Sequence, residues 1–475
     1  MTARRHQRLT LTASITGAVL VALDGTVLTV ARPVLQHDLH ASVAAVQWAG
    51  SGYLVTVAAL LVFAGRLGDR YGHRRVFALG VAGFAASSAG IAFAPGIGWV
   101  IALRVVQGVA GALLQPATLG MLRAVWPADR LSGAIAVRTA AIALASAAGP
   151  LVGGALTAHF GWRSVFVLGV LPAAAALLSA LAVPSAVAHP GSSARDGGSA
   201  RDGGLDLPGA ALLALALAGL VHTLIGLPDT GWSATTFLGL VAAGFLALAL
   251  ARHERRTAHP LLPPSLLRSP TVAAPLGVLL AASAALQGVL FPATYYLQDV
   301  LGLDAFRSGL RAAPLAVAMI LSAVGAARLA KRHGERAVVL SGMGLLTTGV
   351  LLTARLGPGT GTFAIAVCFL LLGTGFGAVM ATATAAVVRG ASTAEAGVAG
   401  GLQQTVMNIG PAVGIALATT TAGRADPGAA LAPAALAMAA VAAAGTLLAA
   451  RLPGRDGAGL PGRAGVPAPE SAPRR

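Results

Sequence analysis

Long apolar runs, interrupted at turn residues and short charge clusters, dominate the chain from end to end. Splitting at those interruptions gives fourteen segments: 10–31, 44–64, 76–94, 98–119, 134–158, 163–183, 208–227, 234–251, 271–297, 308–329, 337–355, 361–387, 397–422 and 429–451. Most match the roughly 20 residues a helix needs to cross a bilayer's hydrocarbon core. The pattern predicts an all-α integral membrane protein of fourteen transmembrane helices. An even count puts both termini on one side.

Composition agrees. Of 475 residues 56% are hydrophobic and only 10% charged, where soluble domains carry about 25% charged residues. The formal charge of +17 does not indicate nucleic acid, because the basic residues form short clusters between apolar runs with no aromatic interleaving. Of 33 lysines and arginines, 25 fall on the side of the termini and six on the other: Arg32, Arg163, Arg307, Arg311, Arg355 and Arg424. That bias predicts cytoplasmic termini in a cytoplasmic membrane. Arg104 and Arg138 fall inside helices. The basic start MTARRHQRLTLTAS resembles a signal peptide, but its apolar run continues to about residue 31 with no small-residue cleavage site. It is read as an uncleaved first helix.

The lone Cys368 allows no disulfide framework or thiolate metal site. GTGFG (373–377) lacks the lysine of a phosphate loop and lies within a membrane segment. No H-E-x-x-H, paired cysteines or G-x-S-x-G occurs. Neither an enzyme nor a resident metal or cofactor is expected.

The two halves share a faint repeat. GRLGDRYGHRR (65–75) returns as ARLAKRHGERA (327–337), and GPLVGG (149–154) as GPAVGI (410–415), at nearly equal offsets. Two six-helix bundles follow, at 1–183 and 271–451. Inserted helices 7 and 8 lie at 208–251, a flexible linker with tandem SARDGG at 184–207, a cytoplasmic loop at 252–270 and a disordered tail at 452–475. Paired bundles around a midplane site are the architecture of a rocking transporter.

Asp24 is the one carboxylate placed mid-membrane, and an ionised carboxylate there needs a partner or a wet cavity. It lies about seven residues from the outer end of segment 10–31, roughly 10 Å. Arg104 on helix 4 sits at nearly the same depth, with Gln107 one turn away. Arg138 is placed near the inner end of helix 5, able to snorkel and too deep to pair with Asp24. The Asp24–Arg104 pair is either a static bridge or a proton-coupling site. A carboxylate that alternates between a dry site and a cation gains and loses a proton, so coupling is the preferred alternative.

With these residues in view, the chain resembles the 14-helix drug:proton antiporter branch of the major facilitator superfamily. LDGTVLTVARP (23–33) looks like that branch's helix-1 motif, with Thr29 for the usual asparagine and Arg32 for the usual leucine. GRLGDRYGHRR matches the superfamily's loop 2–3 signature, RVVQG (104–108) the helix-4 motif and GPLVGG the antiporter motif. YLQDVLG (296–302) and SGLRAAP (308–314) are also typical of the branch. The resemblance implies a multidrug efflux transporter fuelled by the proton gradient, working by alternating access. Asp24, Arg104 and Gln107 would couple protons. Gly65, Asp69, Arg70, Gly72, Arg74 and Arg75 would form a gating loop, with Asp69 suited to a helix N-terminus. Gly149, Pro150, Gly153 and Gly154 would kink and closely pack helix 5.

Shifting Asp24 by the repeat offset reaches Ala285 or Leu286, and Arg104 falls near Ala366, so proton chemistry is expected in helices 1–6 only. Glu395 and Asp299 are placed at helix ends. Candidate substrate contacts are Arg138, His222, Gln287, Gln404 and Asn408, with Gln298 and Gln403 as further polar groups. Each is more often a packing residue, His222 in particular. The expected partners are a lipophilic small molecule, protons and the lipid bilayer, with the protein a monomer. A facilitator of the same fold, or an exporter dedicated to one endogenous metabolite, remains the alternative.

Overall fold

The computed structural model describes residues 3–126, 128–182, 206–257, 260, 268–390, 396–423 and 427–452. Among them run fourteen long helices and no strands. The first six are α1 (Ala3–Asp38), α2 (Val43–Tyr71), α3 (His73–Ala92), α4 (Ile97–Val125), α5 (Ala128–Phe160) and α6 (Arg163–Ala182). Next come α7 (Leu207–Thr230) and α8 (Ala234–Arg256). The last six are α9 (Pro270–Tyr295), α10 (Ala305–His333), α11 (Glu335–Thr353), α12 (Thr362–Gly390), α13 (Ala396–Ala422) and α14 (Pro427–Ala449). Thirteen are long and apolar enough over their described residues to cross a membrane, and α5, at 33 residues, has the length for a fourteenth. Most of the predicted linker, the tail beyond Leu452, and Glu395 lie outside the described residues.

The apolar faces close on two cores. Leu20, Tyr53, Val57, Phe77, Phe84 and Leu114 join α1–α4, with Ala173 and Ala176 of α6 behind them. Val278, Val289, Met343, Leu346, Phe369 and Met438 join α9, α11, α12 and α14 in the other half. Helix α7 lies over the seam: Val221 and Ile225 pack against Val55 of α2 and Ala412 and Ala416 of α13. The Thr420 hydroxyl of α13 donates to the Leu224 carbonyl across the same seam at 3.0 Å.

Repeated packing in the two halves supports the duplication. Gly72 (φ +94°) and Gly334 (φ +87°) end α2 and α10 in the left-handed region that favours glycine. A Cβ at Gly149 would collide with Thr26 Oγ1, and one at Gly410 with Ser283 Oγ. Gly153 lies likewise on the Val27 carbonyl, and Gly414 on that of Ala284. This register sets Thr26 against Ser283, so the counterpart of Asp24 is Ala281, not Ala285 or Leu286. Gly108 and Gly373 rest on the backbones of Tyr53 and Leu315, so Phe369 stands for Arg104 and Leu372 for Gln107.

Three expectations change. Helix α1 continues through Arg32 and Pro33 to Asp38, seven residues past the expected end, so Arg32 is a buried helical residue, 6% exposed. The chain offers Pro33 in place of an N–H donor, yet flanking packing keeps the helix running. Asp69 sits in the last turn of α2 and not at a helix N-terminus; its Oδ1 lies 3.0 Å from Nε2 of His73, one turn on. Arg138 does not snorkel: it is buried and donates to Thr118 Oγ1 of α4 at 2.8 Å.

Close glycine contacts should be equally needed in both halves. Gly153→Leu and Gly414→Leu are each expected to cost about 1–3 kcal/mol or more through overpacking, read as a lowered Tm in detergent. Gly344→Ala, where a Cβ meets open space, should leave Tm nearly unmoved.

Candidate functional site

Arg104 of α4 is 1% exposed and makes several polar and aromatic contacts. Its Nη1 donates to Asp24 Oδ2 at 2.6 Å and to Gln107 Oε1 at 2.7 Å. Nε donates to the Ala49 carbonyl of α2 at 2.9 Å. Gln107 Nε2 donates to Asp24 Oδ1 at 3.2 Å and to Ser88 Oγ of α3 at 2.7 Å. The guanidinium carbon stands 4.3 Å from the Tyr53 ring centroid and 6.0 Å from that of Phe166 on α6. Helices α1, α2 and α6 thus meet the cation carried by α4, and α3 joins the network through Gln107. Such contacts contribute about 0.5–2 kcal/mol each, most when desolvated.

The cluster assembles because Arg104 and Gln107 are spaced i, i+3 on α4, sharing one face. Asp24 meets that face from α1. Gly108, one residue on, lets the α2 backbone approach at Tyr53. Asp24, with its side chain only 9% exposed, also borders a cavity of about 30 Å³ walled by Ser88, Phe166, Gly169 and Pro172. That space is about the size of a single water.

Around the turn from α2 to α3, the predicted loop residues separate into several contacts. Arg74 Nε donates to the Ala180 carbonyl of α6 at 2.8 Å, and Arg66 Nη2 to the carbonyl of Pro260, beyond α8, at 2.7 Å. Arg70 covers the Tyr71 ring, and Arg75 is exposed. His73, unremarked in sequence, fills a space left by two glycines: a Cβ at Gly68 or Gly120 would clash with its ring. Gly65 faces Pro116 of α4. In the repeated turn Lys331 replaces Asp69, and Glu335 pairs with Arg389 at the end of α12.

The helix-5 glycines lie at a three-helix junction. Gly149 and Gly153 press on α1; Gly154 presses on the Ala305 backbone of α10, and Gly309 of α10 returns onto the carbonyl of Pro150. At the same level Gln298 Nε2 donates to the Val30 carbonyl at 2.8 Å, and His37 and Asp299 approach to 3.6 Å. These contacts join the two halves on the side away from the termini.

The remaining candidates do not gather. His222 is exposed on α7, its ring 5.9 Å from that of Trp48, and so is not a buried packing group. Gln287 is half-buried, without a hydrogen bond among the described residues. Asn408 Nδ2 donates to the carbonyl of Gln404 at 2.9 Å. Gln403 is buried nearby. Ser88, Tyr53 and Phe166 complete the cluster unannounced by the sequence; the only signal was a serine and a scarce tyrosine in apolar runs.

A sequence model described as the Major Facilitator Superfamily matches residues 15–415. The chain belongs to that superfamily. It is 37% identical to the tetracenomycin C resistance and export protein of Streptomyces glaucescens, over 86% of this chain and 74% of the relative. It is 31% identical to the multidrug efflux pump LfrA of Mycolicibacterium smegmatis, over 84% and 77%. In fold it is similar to the crystal structure of the peptide transporter POT, with a TM-score of 0.64, 18% identity and 92% coverage of each chain. The chain is therefore a multi-pass membrane transporter of the major facilitator fold, its described residues forming two six-helix bundles and two inserted helices.

For this superfamily member, removing one partner of the buried pair should cost about 3–5 kcal/mol, because it leaves an uncompensated charge. Arg104→Gln is expected to lower Tm strongly, and Asp24→Asn/Arg104→Gln to recover much of the loss. A double-mutant cycle on thermal unfolding in detergent measures this; additive losses would show that the two groups do not interact. Tyr53→Phe should cost little, since the Tyr53 hydroxyl is buried with no hydrogen-bond partner.

Proposed function

We propose that this transporter exports drug-like or antibiotic small molecules from the cytoplasm in exchange for protons. It would act by alternating access in the cytoplasmic membrane, with both termini cytoplasmic. The observation that carries the reading is the Asp24–Arg104–Gln107 cluster: a carboxylate held in the interior of one bundle, beside a water-sized cavity, at hydrogen-bond distance from a cation. Protonating Asp24 would neutralise it, release Arg104 to its other partners and alter the packing of α1 against α3, α4 and α6. A facilitator that merely equilibrates its substrate has no need for such a buried carboxylate.

Relatives named for antibiotic resistance, export and multidrug efflux support the drug-exporter part of this reading. Proton coupling rests on the chemistry of Asp24. The loop between α2 and α3 would gate the exchange by breaking its contacts at Ala180 and Pro260. The Gly154–Ala305 junction would serve as the pivot on the other face. No resident cofactor is needed, because the proton gradient supplies the energy. The substrate would be lipophilic and the working unit a monomer. Among described mid-helix positions Asp24 is the sole carboxylate, so dications should be poor substrates.

The test is uptake of lipophilic fluorescent compounds into everted vesicles under an imposed proton gradient. The wild type should accumulate substrate, and Asp24→Asn should abolish gradient-driven uptake while retaining substrate binding. Normal transport by the variant would reduce Asp24 to a structural role. Uptake without coupling in either protein would make the chain a facilitator. Robust uptake of a dicationic dye would defeat the charge argument.

A further inference from the structure

Three arginines are buried within the described membrane helices, and their charges are met differently. Arg104 has Asp24. Arg138 has a neutral hydroxyl. Arg32, on α1 two turns beyond Asp24, has neither a carboxylate nor a hydrogen-bond acceptor among the described residues, and its Nε is buried without a partner. Burying an unpaired guanidinium is costly, so Arg32 is a candidate to take an anionic partner that the protein itself does not supply.

The surroundings indicate where that partner would sit. Arg32 Cζ stands 5.3 Å from the centroid of the Phe291 ring, on α9 of the opposite bundle. One turn along α9, the Tyr295 ring lies 5.3 Å from that of Phe291, and its hydroxyl is buried without a hydrogen-bond partner among the described residues. On the α2 side Gly50 leaves room: a Cβ there would come within 3.0 Å of Arg32 Nη2. Ser51 beside it presents a third buried, unpartnered polar atom. The nearby acid Asp299 reaches His37 at 3.6 Å instead, and Asp24 is already held by Arg104. Two unsatisfied donors, Arg32 and Tyr295, thus come from opposite bundles to the same aromatic ring, that of Phe291.

We propose that Arg32 and Tyr295 form an anion-recognition site for the exported compound, which is a lipophilic monoanion. Its carboxylate or ionised phenol would accept from the guanidinium and the tyrosine hydroxyl, and its ring system would lie against Phe291. An arginine presents a planar fork of donors that matches a carboxylate with two parallel bonds. Each bundle supplies one donor, so the site is whole only while the halves are together at this level. Rocking them apart separates the donors and releases the anion. This assignment rests on the exporter reading and narrows it to one substrate class.

Binding without a gradient tests the site apart from transport. Anthraquinone-2-carboxylate and its methyl ester share a ring system and differ in charge, and both can be followed by quenching of tryptophan fluorescence in the purified protein. The wild type should bind the acid at least about tenfold more tightly than the ester. Arg32→Gln should abolish that preference, Arg32→Lys should restore part of it, and Tyr295→Phe should weaken the acid more than the ester. Equal wild-type affinity for acid and ester, or an undiminished preference in Arg32→Gln, would overturn the proposal. So would failure of the wild type to bind either compound. If Arg32→Gln is not monodisperse, Tyr295→Phe and Arg32→Lys decide, and an unchanged acid preference in both counts against the site. Binding through Arg32 with no gradient-driven uptake in everted vesicles would leave the site standing and remove the exporter reading. Gradient-driven uptake of the ester with no acid preference would do the reverse.

Discussion

One buried cation organises the first bundle. Arg104 cannot shed its proton in practice, so wherever α4 places it, other helices must supply acceptors and aromatic faces. Asp24, Gln107, Ala49, Tyr53 and Phe166 do so from α1, α4 itself, α2 and α6, while Ser88 of α3 extends the network through Gln107. The arrangement fixes how these helices rotate about their axes. It also makes the pair sensitive: a proton on Asp24 removes the charged half of the best contact Arg104 has.

The two halves obey the same packing rules and differ in chemistry. Glycines at matching positions press on neighbouring backbones in both, because only a missing side chain allows helices to approach so closely. Where the first half has Asp24, Arg104 and Gln107, the second has Ala281, Phe369 and Leu372. Its core is correspondingly a continuous apolar cluster. The buried carboxylate and its polar partners thus belong to one bundle, and the matching positions of the other are apolar. Helices α7 and α8 add cover over the seam at α2 and α13.

Charge also grades along α1. Asp24 lies inside the first bundle, whereas Arg32 meets the second bundle at Phe291. A single helix therefore presents a titratable group to one neighbour and a permanent cation to another. Movement of α1 on proton exchange at the first would be felt directly at the second, with only two helical turns between them.

Sequence alone determined the class of fold. Apolar runs long enough to span a bilayer have few structural outcomes, since backbone polar groups in lipid must be satisfied within the segment. It also determined the duplication and the Asp24–Arg104 partnership, which need only depth and motif spacing. The pairing survived a misplaced helix end, because α1 projects about two turns beyond the start of α4. Tertiary structure decided what depends on partners distant in the chain. Arg32 looked like a loop residue because an arginine followed by proline ordinarily ends a membrane segment; Phe291, over 250 positions away, is what lies against it. Likewise, the roles of Ser88, Tyr53 and His73, the true counterparts of Asp24 and Arg104, and the burial of Arg138 were fixed only when helices met face to face. Hydropathy reports how deep a residue lies along a helix but not the direction in which it points, and direction is set by the neighbours it packs against.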